Sequence, residues 1–286
     1  MAKEYTAKDF IEPTPLEHIR LHPGMYHIDV NTQQGQYQLF KEIIDNSIDE
    51  TKVTLNKHHD IDIVFLNDGK KYQVIISDRG RGVPLQVLRA AFGVYGASGK
   101  SGDAYNASTG TFGVGAKATS AMSAKLVAIS KRKEGTAIVT LSKASIEHSQ
   151  ITKDYKTDRS EFGTTVLYEA DDSFVGKDKF FEPGYGYDMV HQLLEFVGVF
   201  RTNISFRIFF GKKLIPHKKL VGTPKDVLHT IDNVACEQVF ESNVDLTPVE
   251  YLRKRSNINS SITWQSPIFE KLKDPENKAD LFGYQV

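Results

Sequence analysis

Glu42-Ile43-Ile44-Asp45-Asn46-Ser47-Ile48-Asp49-Glu50 sets a carboxylate and a carboxamide one helical turn apart. At 100° per residue, Glu42, Asn46 and Asp49 fall within roughly 60° of arc, and Phe40, Ile44 and Ile48 fall nearly opposite. Such a helix buries one face and offers the other to a ligand. A general base beside an amide that holds a metal is what hydrolysis of a magnesium-bound nucleotide requires. Taken alone, the segment also reads as an ordinary amphipathic helix with a solvated acidic face. Its neighbours have to decide.

Working outward, the helix is expected from about Gln36 to Leu55, preceded by a short one from Leu16 to His22 that Pro23-Gly24 stops. Residues 1–15 read as an extended arm, with Pro13 and Pro15 blocking a helix there. Ile61–Leu66 and Lys71–Ser77 read as strands joined by Asn67-Asp68-Gly69-Lys70, a hairpin signal because Asp-Gly tolerates the positive φ of a tight turn. Val74-Ile75-Ile76 is continuously apolar, so its strand is expected to be buried on both faces. From Gly93 to Gly115 glycine recurs with few apolar residues between, the mark of a long binding loop or lid. Ala116–Ala124 and Met189–Val199 read as helices. Leu126–Lys131, Thr136–Ser142, Thr164–Glu169 and Ile204–Phe210 read as strands. The class is α+β: a two-layer sandwich with helices on one face of a mixed, largely antiparallel sheet. After about Leu220 the character changes. Thr223-Pro224-Lys225-Asp226 suggests a helix start, and the chain stops abruptly at Tyr284-Gln285-Val286, as a truncated chain or the edge of a second domain would.

Composition narrows the classes. Of 286 residues, 40% are hydrophobic and 25% charged, as in a globular protein. Lysine plus arginine equals aspartate plus glutamate, 36 against 36, which argues against a nucleic-acid clamp by bulk charge and leaves a local patch open. The single cysteine, Cys236, excludes an intrachain disulfide and suits a reducing compartment. No long apolar run or signal peptide is seen, so a cytoplasmic protein with no membrane partner is expected.

Three further segments carry chemistry. Ser77-Asp78-Arg79-Gly80-Arg81-Gly82-Val83-Pro84 follows the buried strand. An aspartate at a strand end accepts from an exocyclic amine, and the glycines let backbone approach a flat ring, although a glycine-rich turn capped by Asp would look the same. Gly110-Thr111-Phe112-Gly113-Val114-Gly115 leads into a helix and presents bare N–H groups to phosphate. A lone motif of that kind is weak evidence, and Lys100 and Lys117 beside it are either phosphate ligands or merely solvated. Gly163-Thr164-Thr165-Val166 enters a strand, and its hydroxyls could reach a base or a bridging water.

The order of these pieces resembles the GHKL ATPase superfamily, which includes DNA gyrase, a heat-shock chaperone, histidine kinases and mismatch-repair clamps. Within it, Leu16-Glu17-His18-Ile19-Arg20-Leu21-His22-Pro23-Gly24-Met25-Tyr26 is similar to the arm of type II topoisomerase ATPase subunits. Glu42–Glu50 matches their Glu-x-x-Asp-Asn-x-x-Asp-Glu helix. The resemblance covers most of residues 1–220. It implies a Bergerat-type ATP-binding domain over 16–220, a dimerisation arm over 1–15 that includes Tyr5, and over 221–286 a linker with the beginning of a transducer-like domain.

The resemblance also implies roles. Glu42 is the catalytic base, and Asn46 holds Mg²⁺. Asp78 accepts from the adenine amino group, with Thr164 supporting it through a water. Gly113, Val114 and Gly115 offer N–H groups to the phosphates, Lys100 and Tyr105 sit in the lid, and Gly110 and Lys117 complete the nucleotide site. Arg81 pairs with Glu50 at the pocket mouth beside Gly82 and Pro84, and Arg132 lies near the rim. ATP would dimerise two subunits, and the whole enzyme would add DNA and a DNA-cleaving subunit or domain. Arg79, His27 and Phe112 depart from the bacterial pattern, and Gly113-Val114-Gly115-Ala116-Lys117 looks like the eukaryotic and viral variety, so a divergent bacterial or phage enzyme is implied. The family's transducer lysine lies in a Gln-Thr-Lys context absent here, so slow hydrolysis by this chain is expected. Two other readings compete: a nucleotide-gated clamp or switch without strand passage, against which the Pro-Gly-Met-Tyr arm argues, and a binding-only domain, against which intact Glu42 and Asn46 argue.

Overall fold

A computed structural model of the chain describes residues 13–26, 28–29, 32–52, 58–93, 115–153, 162–175, 185–201, 203–235 and 238–241. The expected arm contact at Tyr5, the lid residues 94–114 and the segment beyond 241 lie outside them.

The first helix, α1, runs Pro15–Leu21. Thr14 caps it: the Glu17 amide donates to Thr14 Oγ1 at 3.4 Å and the Thr14 amide to Glu17 Oε2 at 2.8 Å. Pro15 therefore opens this helix rather than blocking it, because at the first helical position its missing N–H costs nothing. Helix α2, Gln33–Lys52, carries the decisive stretch. Phe40, Ile44 and Ile48 are fully buried as the periodicity requires. The opposite face is less open than expected: Asp45 and Asp49 are buried too, ion-paired with Lys41 and Lys52. Helix α2 is flanked by other helices, so only Glu42, Asn46 and Glu50 of its acidic stretch escape full burial.

The strands are β1 His59–Asn67, β2 Tyr72–Ser77, β3 Ser123–Arg132, β4 Gly135–Ser142, β5 Ser145–Thr152, β6 Gly163–Ala170, β7 Ile204–Gly211 and β8 Gln238–Glu241. They form one sheet in the order β5-β4-β3-β6-β2-β1-β7-β8. β1 and β7 are parallel, and the other pairings are antiparallel. The Asn67–Lys70 hairpin forms as expected, with the Asp68 amide donating to the Lys71 carbonyl at 3.2 Å. The remaining helices are α3 Leu88–Gly93, α4 Gly115–Met122, the single turn α5 Asp172–Val175, α6 Tyr185–Phe200 and α7 Pro224–Asp232. Helix α4 stops two residues before the expected Ala124, because Ser123 already pairs with Ala170 in the sheet.

Alternation along the strands divides the core. Ile61, Ile63, Phe65, Val74 and Ile76 face α1, α2 and α6 with Phe40, Ile44 and Leu194. Ile75 points the other way, with Leu66, Val127, Ile129, Ile138 and Leu167. That second face is covered by Ile215, Leu220 and the apolar side of α7, Val227, Leu228 and Ile231. Residues 221–235, read from sequence as a linker, thus pack on the sheet, and β8 extends it beside β7. The large helices still lie on one face. Among the described residues no helix is long and apolar enough to cross a membrane.

Candidate active site

Helix α2 arranges the site along its length. Glu42 and Ser47 are five residues apart, about 7–8 Å along the axis. Ser47 reaches Asp78 after β2, whereas Glu42 meets the start of α4.

Asp78 is 6% exposed. Its Oδ1 accepts from the Gly80 amide at 2.9 Å and the Thr164 amide at 3.1 Å. Its Oδ2 accepts only a long bond, 3.3 Å, from the Ser47 hydroxyl. One oxygen is therefore spent on backbone, and the other keeps capacity for a further donor. Burial pushes the carboxyl up to about 6, against the pull of the two backbone N–H groups. The contact with Thr164 runs through backbone in both directions, since the Asp78 amide also donates to the Thr164 carbonyl at 3.0 Å. The hydroxyl pair nearby is Ser77 with Thr165, at 2.6 Å.

Gly163 makes this approach possible. A Cβ there would sit 2.1 Å from the Asp78 carbonyl oxygen, at a φ of +151° that side chains rarely adopt. Gly163→Ala is expected to lower stability by more than about 2 kcal/mol, read as a drop in thermal midpoint. A midpoint within a degree of native would refute the close packing.

At the other end, Gln38 Nε2 donates to Glu42 Oε1 at 2.5 Å. Burial first, and the Asp45 carboxylate second, raise the Glu42 pKa and make it a stronger base. A Cβ on Gly115 would fall 1.7 Å from Glu42 Oε2, so any larger residue opening α4 there would push the Glu42 carboxylate from its place. Asn46 is exposed, and its Nδ2 donates to the Glu42 carbonyl at 2.6 Å. With the nitrogen so engaged, Oδ1 is the available ligand, a hard oxygen donor of the kind Mg²⁺ takes. Among the described residues no cluster of three or more His, Cys, Asp or Glu could hold a metal.

The rim is clamped. Glu50 accepts from the Arg81 amide at 2.8 Å, Nε at 2.7 Å and Nη2 at 3.1 Å, the ion pair expected from sequence. Arg132 Nη1 donates to the Gly82 carbonyl at 2.6 Å, and Ser130 donates to the Val83 carbonyl at 2.6 Å. Pro84 stands ahead of a 3₁₀ turn at Leu85–Val87. Arg79 turns away: its Nη2 lies 3.0 Å from Asp62 Oδ2, and Arg207 grips the same carboxylate at 2.6 and 2.9 Å. Lys117 is 1% exposed rather than solvated, and burial lowers its pKa. Lys100, Tyr105, Gly110, Gly113 and Val114 lie outside the described residues. Ser47 is the contact that sequence reasoning missed. Its place five residues after Glu42, one position beyond Asn46, was the available signal.

Residues 38–171 match the family model described as histidine kinase-, DNA gyrase B- and HSP90-like ATPase. The DNA topoisomerase 4 B protein of Borreliella burgdorferi is 34% identical over 187 residues, 63% of this chain and 29% of that one. The DNA gyrase B protein of Campylobacter jejuni is 33% identical over 192 residues, 63% of this chain and 23% of that one. The chain thus matches between about a quarter and a third of the length of these curated relatives. The 43K ATPase domain of Thermus thermophilus gyrase B, solved with an aminocoumarin, superposes with a TM-score of 0.51 at 25% identity, covering 69% of this chain and 49% of that one. The topoisomerase IV ATP-binding domain of Francisella tularensis shares the fold, with a TM-score of 0.55 at 17% identity over 85% of this chain and 58% of that one. Over residues 38–171, which hold the acid/amide helix and the buried Asp78, the chain is thus similar to the GHKL ATPase domain of the gyrase B and topoisomerase IV B proteins.

Proposed function

We propose that the chain is the ATP-binding and hydrolysing part of a type II DNA topoisomerase, working in the cytoplasm, whose nucleotide cycle opens and closes a dimeric gate for DNA. The observation that carries most weight is Asp78: a buried carboxylate with one oxygen saturated by backbone and the other left for a donor. Adenine supplies such a donor in its amino group.

In this reading Asp78 accepts from the base, and Ser47 and Thr164 hold it in place. Glu42, kept basic by burial and braced by Gln38, takes the proton of the attacking water or orients it. Asn46 Oδ1 is the protein ligand for Mg²⁺, which when bound neutralises charge on the phosphates. The amino end of α4 at Gly115, with Gly110, Gly113 and Val114 before it, receives phosphate oxygens. Lys100 and Tyr105 add contacts from the lid, and Lys117, buried on α4, adds positive charge behind the phosphates. The Glu50–Arg81 pair, with Gly82, Pro84 and Arg132, stiffens the pocket mouth. Residues 1–15 serve as the arm that reaches a second copy, and residues 221–286 lead into a transducer-like part, with Val227, Leu228 and Ile231 of α7 packed back on the sheet. DNA and a DNA-cleaving subunit or domain complete the enzyme.

The test is sedimentation of the chain with and without a non-hydrolysable ATP analogue and Mg²⁺. The expected result is a monomer that becomes a dimer with the analogue and stays monomeric in Asp78→Asn. A monomer under all conditions, with the analogue bound, contradicts the gate.

A further inference from the structure

The end of the sheet remote from Asp78 carries a concentration of positive charge that the nucleotide site does not use. β1 and β7 run parallel with Leu66 beside Gly211, so the β1–β2 turn and the segment after β7 emerge together. The turn bears Lys70 and Lys71, and the segment Gly211–Lys219 bears Lys212, Lys213, Lys218 and Lys219, all exposed, with no acidic residue. Asp68, Glu169 and Asp172 are the acids beside them. Among the described residues of these two segments, six lysines stand against Asp68, with Glu169 and Asp172 paired to Lys71, an excess of positive charge in a chain whose total is zero.

The two segments are fixed to each other. Gln73 Nε2 donates to the Ile215 carbonyl at 3.0 Å, and the Ile215 amide donates to Gln73 Oε1 at 2.9 Å. Glu169, buried beneath, accepts from Lys71 at 3.1 Å and Gln73 at 3.1 Å and bonds His217 at 2.9 Å. Ile215 and Leu220 are buried against the sheet on either side of Lys218 and Lys219. The lysines therefore stand on a tethered segment. β2, six residues long, separates them from Asp78 by about 20 Å, too far for a nucleotide in the pocket to bridge.

We propose that this surface, Lys70–Lys71 with Lys212–Lys219, binds the phosphate backbone of duplex DNA. Exposed lysines with no Phe, Tyr or Trp in Gly211–Lys219 suit a regularly spaced polyanion read by charge alone. The choice of DNA as that polyanion rests on the topoisomerase reading.

The experiment is fluorescence anisotropy of a labelled duplex of about 20 base pairs with the whole chain at about 50 and 150 mM salt. It compares native protein with Lys213→Ala/Lys218→Ala/Lys219→Ala and with Arg89→Ala/Lys133→Ala/Lys153→Ala, three exposed cations elsewhere. The expected result is salt-dependent binding by native protein and by the second variant. The first should bind at least about tenfold more weakly, with a salt slope lower by about 2–3. Its thermal midpoint and its affinity for the ATP analogue should be unchanged. Equal DNA binding by native and first variant, or no DNA binding by native protein that still binds the analogue, overturns this proposal and leaves the ATPase reading standing. Lysine-dependent binding of polyglutamate but not duplex overturns DNA in favour of an acidic protein partner. DNA binding without analogue binding would support the surface and count against the nucleotide reading.

Discussion

Asp78→Asn is expected to lose nucleotide affinity by at least about 100-fold while gaining stability. Asparagine keeps an oxygen for the Gly80 and Thr164 amides, but puts an NH₂ where Oδ2 stood. That NH₂ faces the Ser47 hydroxyl and, in the proposed complex, the adenine amino group. Donor would meet donor in a buried site, the costliest kind of polar mismatch. Stability moves the other way. Burial lifts the folded pKa from 3.8 to about 6, so at neutral pH the fold holds a buried anion. Removing that anion is worth on the order of 2–3 kcal/mol. The contribution of Asp78 to native stability is fully present below pH 3.8 and is lost as pH rises through about 6. Between those limits native stability is expected to fall with pH relative to Asp78→Asn. Nucleotide affinity is expected to rise over the same range, because Oδ1 is taken by backbone amides and a proton on Oδ2 would turn the remaining acceptor into a donor. Opposite pH trends in chemical denaturation and in binding would identify one group behind both. Parallel trends would contradict the assignment.

Glu42→Ala is expected to cut ATP hydrolysis by about 10²–10⁴ and to leave affinity for the ATP analogue within about fivefold. The side chain lies at the start of α4, remote from Asp78, so its loss should not disturb base recognition. Glu42→Gln separates charge from shape, since it keeps the volume beside Gly115, and it should be as inactive as alanine if proton transfer is the role. Burial and Asp45 raise the Glu42 pKa, so the acidic limb of native turnover should lie above the usual carboxylate range, with rate falling as pH drops through it. Steady-state turnover against pH, beside calorimetric binding, checks both points. Turnover in Glu42→Gln near the native rate would remove Glu42 as the base.

Much of this was legible before any coordinates, because the informative signals are local. One helical turn separates Glu42 from Asn46, and Asp68-Gly69 marks a hairpin wherever strands flank it. Thr223-Pro224 announces α7 by cap and first-turn proline, and Thr223 does accept from the Asp226 amide. What escaped depended on partners distant in sequence. β5 has only Ile146 and Ile151 as apolar residues and is half exposed, and its hairpin turn is Lys143-Ala144, both at positive φ without glycine or asparagine. Neither residue type signals such a turn. Val74-Ile75-Ile76 correctly required cover on both faces, but nothing local said that Ile75 would be covered by Ile215, Val227 and Ile231. Asp45 and Asp49 share a helix with Glu42, and only the tertiary packing determines that they are buried beside lysines. Arg79, a departure from the bacterial pattern, is drawn outward by Asp62, which Arg207 also binds. Ser47 became visible as a site residue only once Asp78 was set beside it.

The most direct measurement is calorimetric titration of a non-hydrolysable ATP analogue, with Mg²⁺, into the native chain and into Asp78→Asn. Saturable, Mg²⁺-dependent binding by the native chain that disappears in the variant is the expected result. Binding of equal strength in both would contradict Asp78 as the base-recognising carboxylate, and absence of binding by the folded native chain would contradict the nucleotide pocket itself.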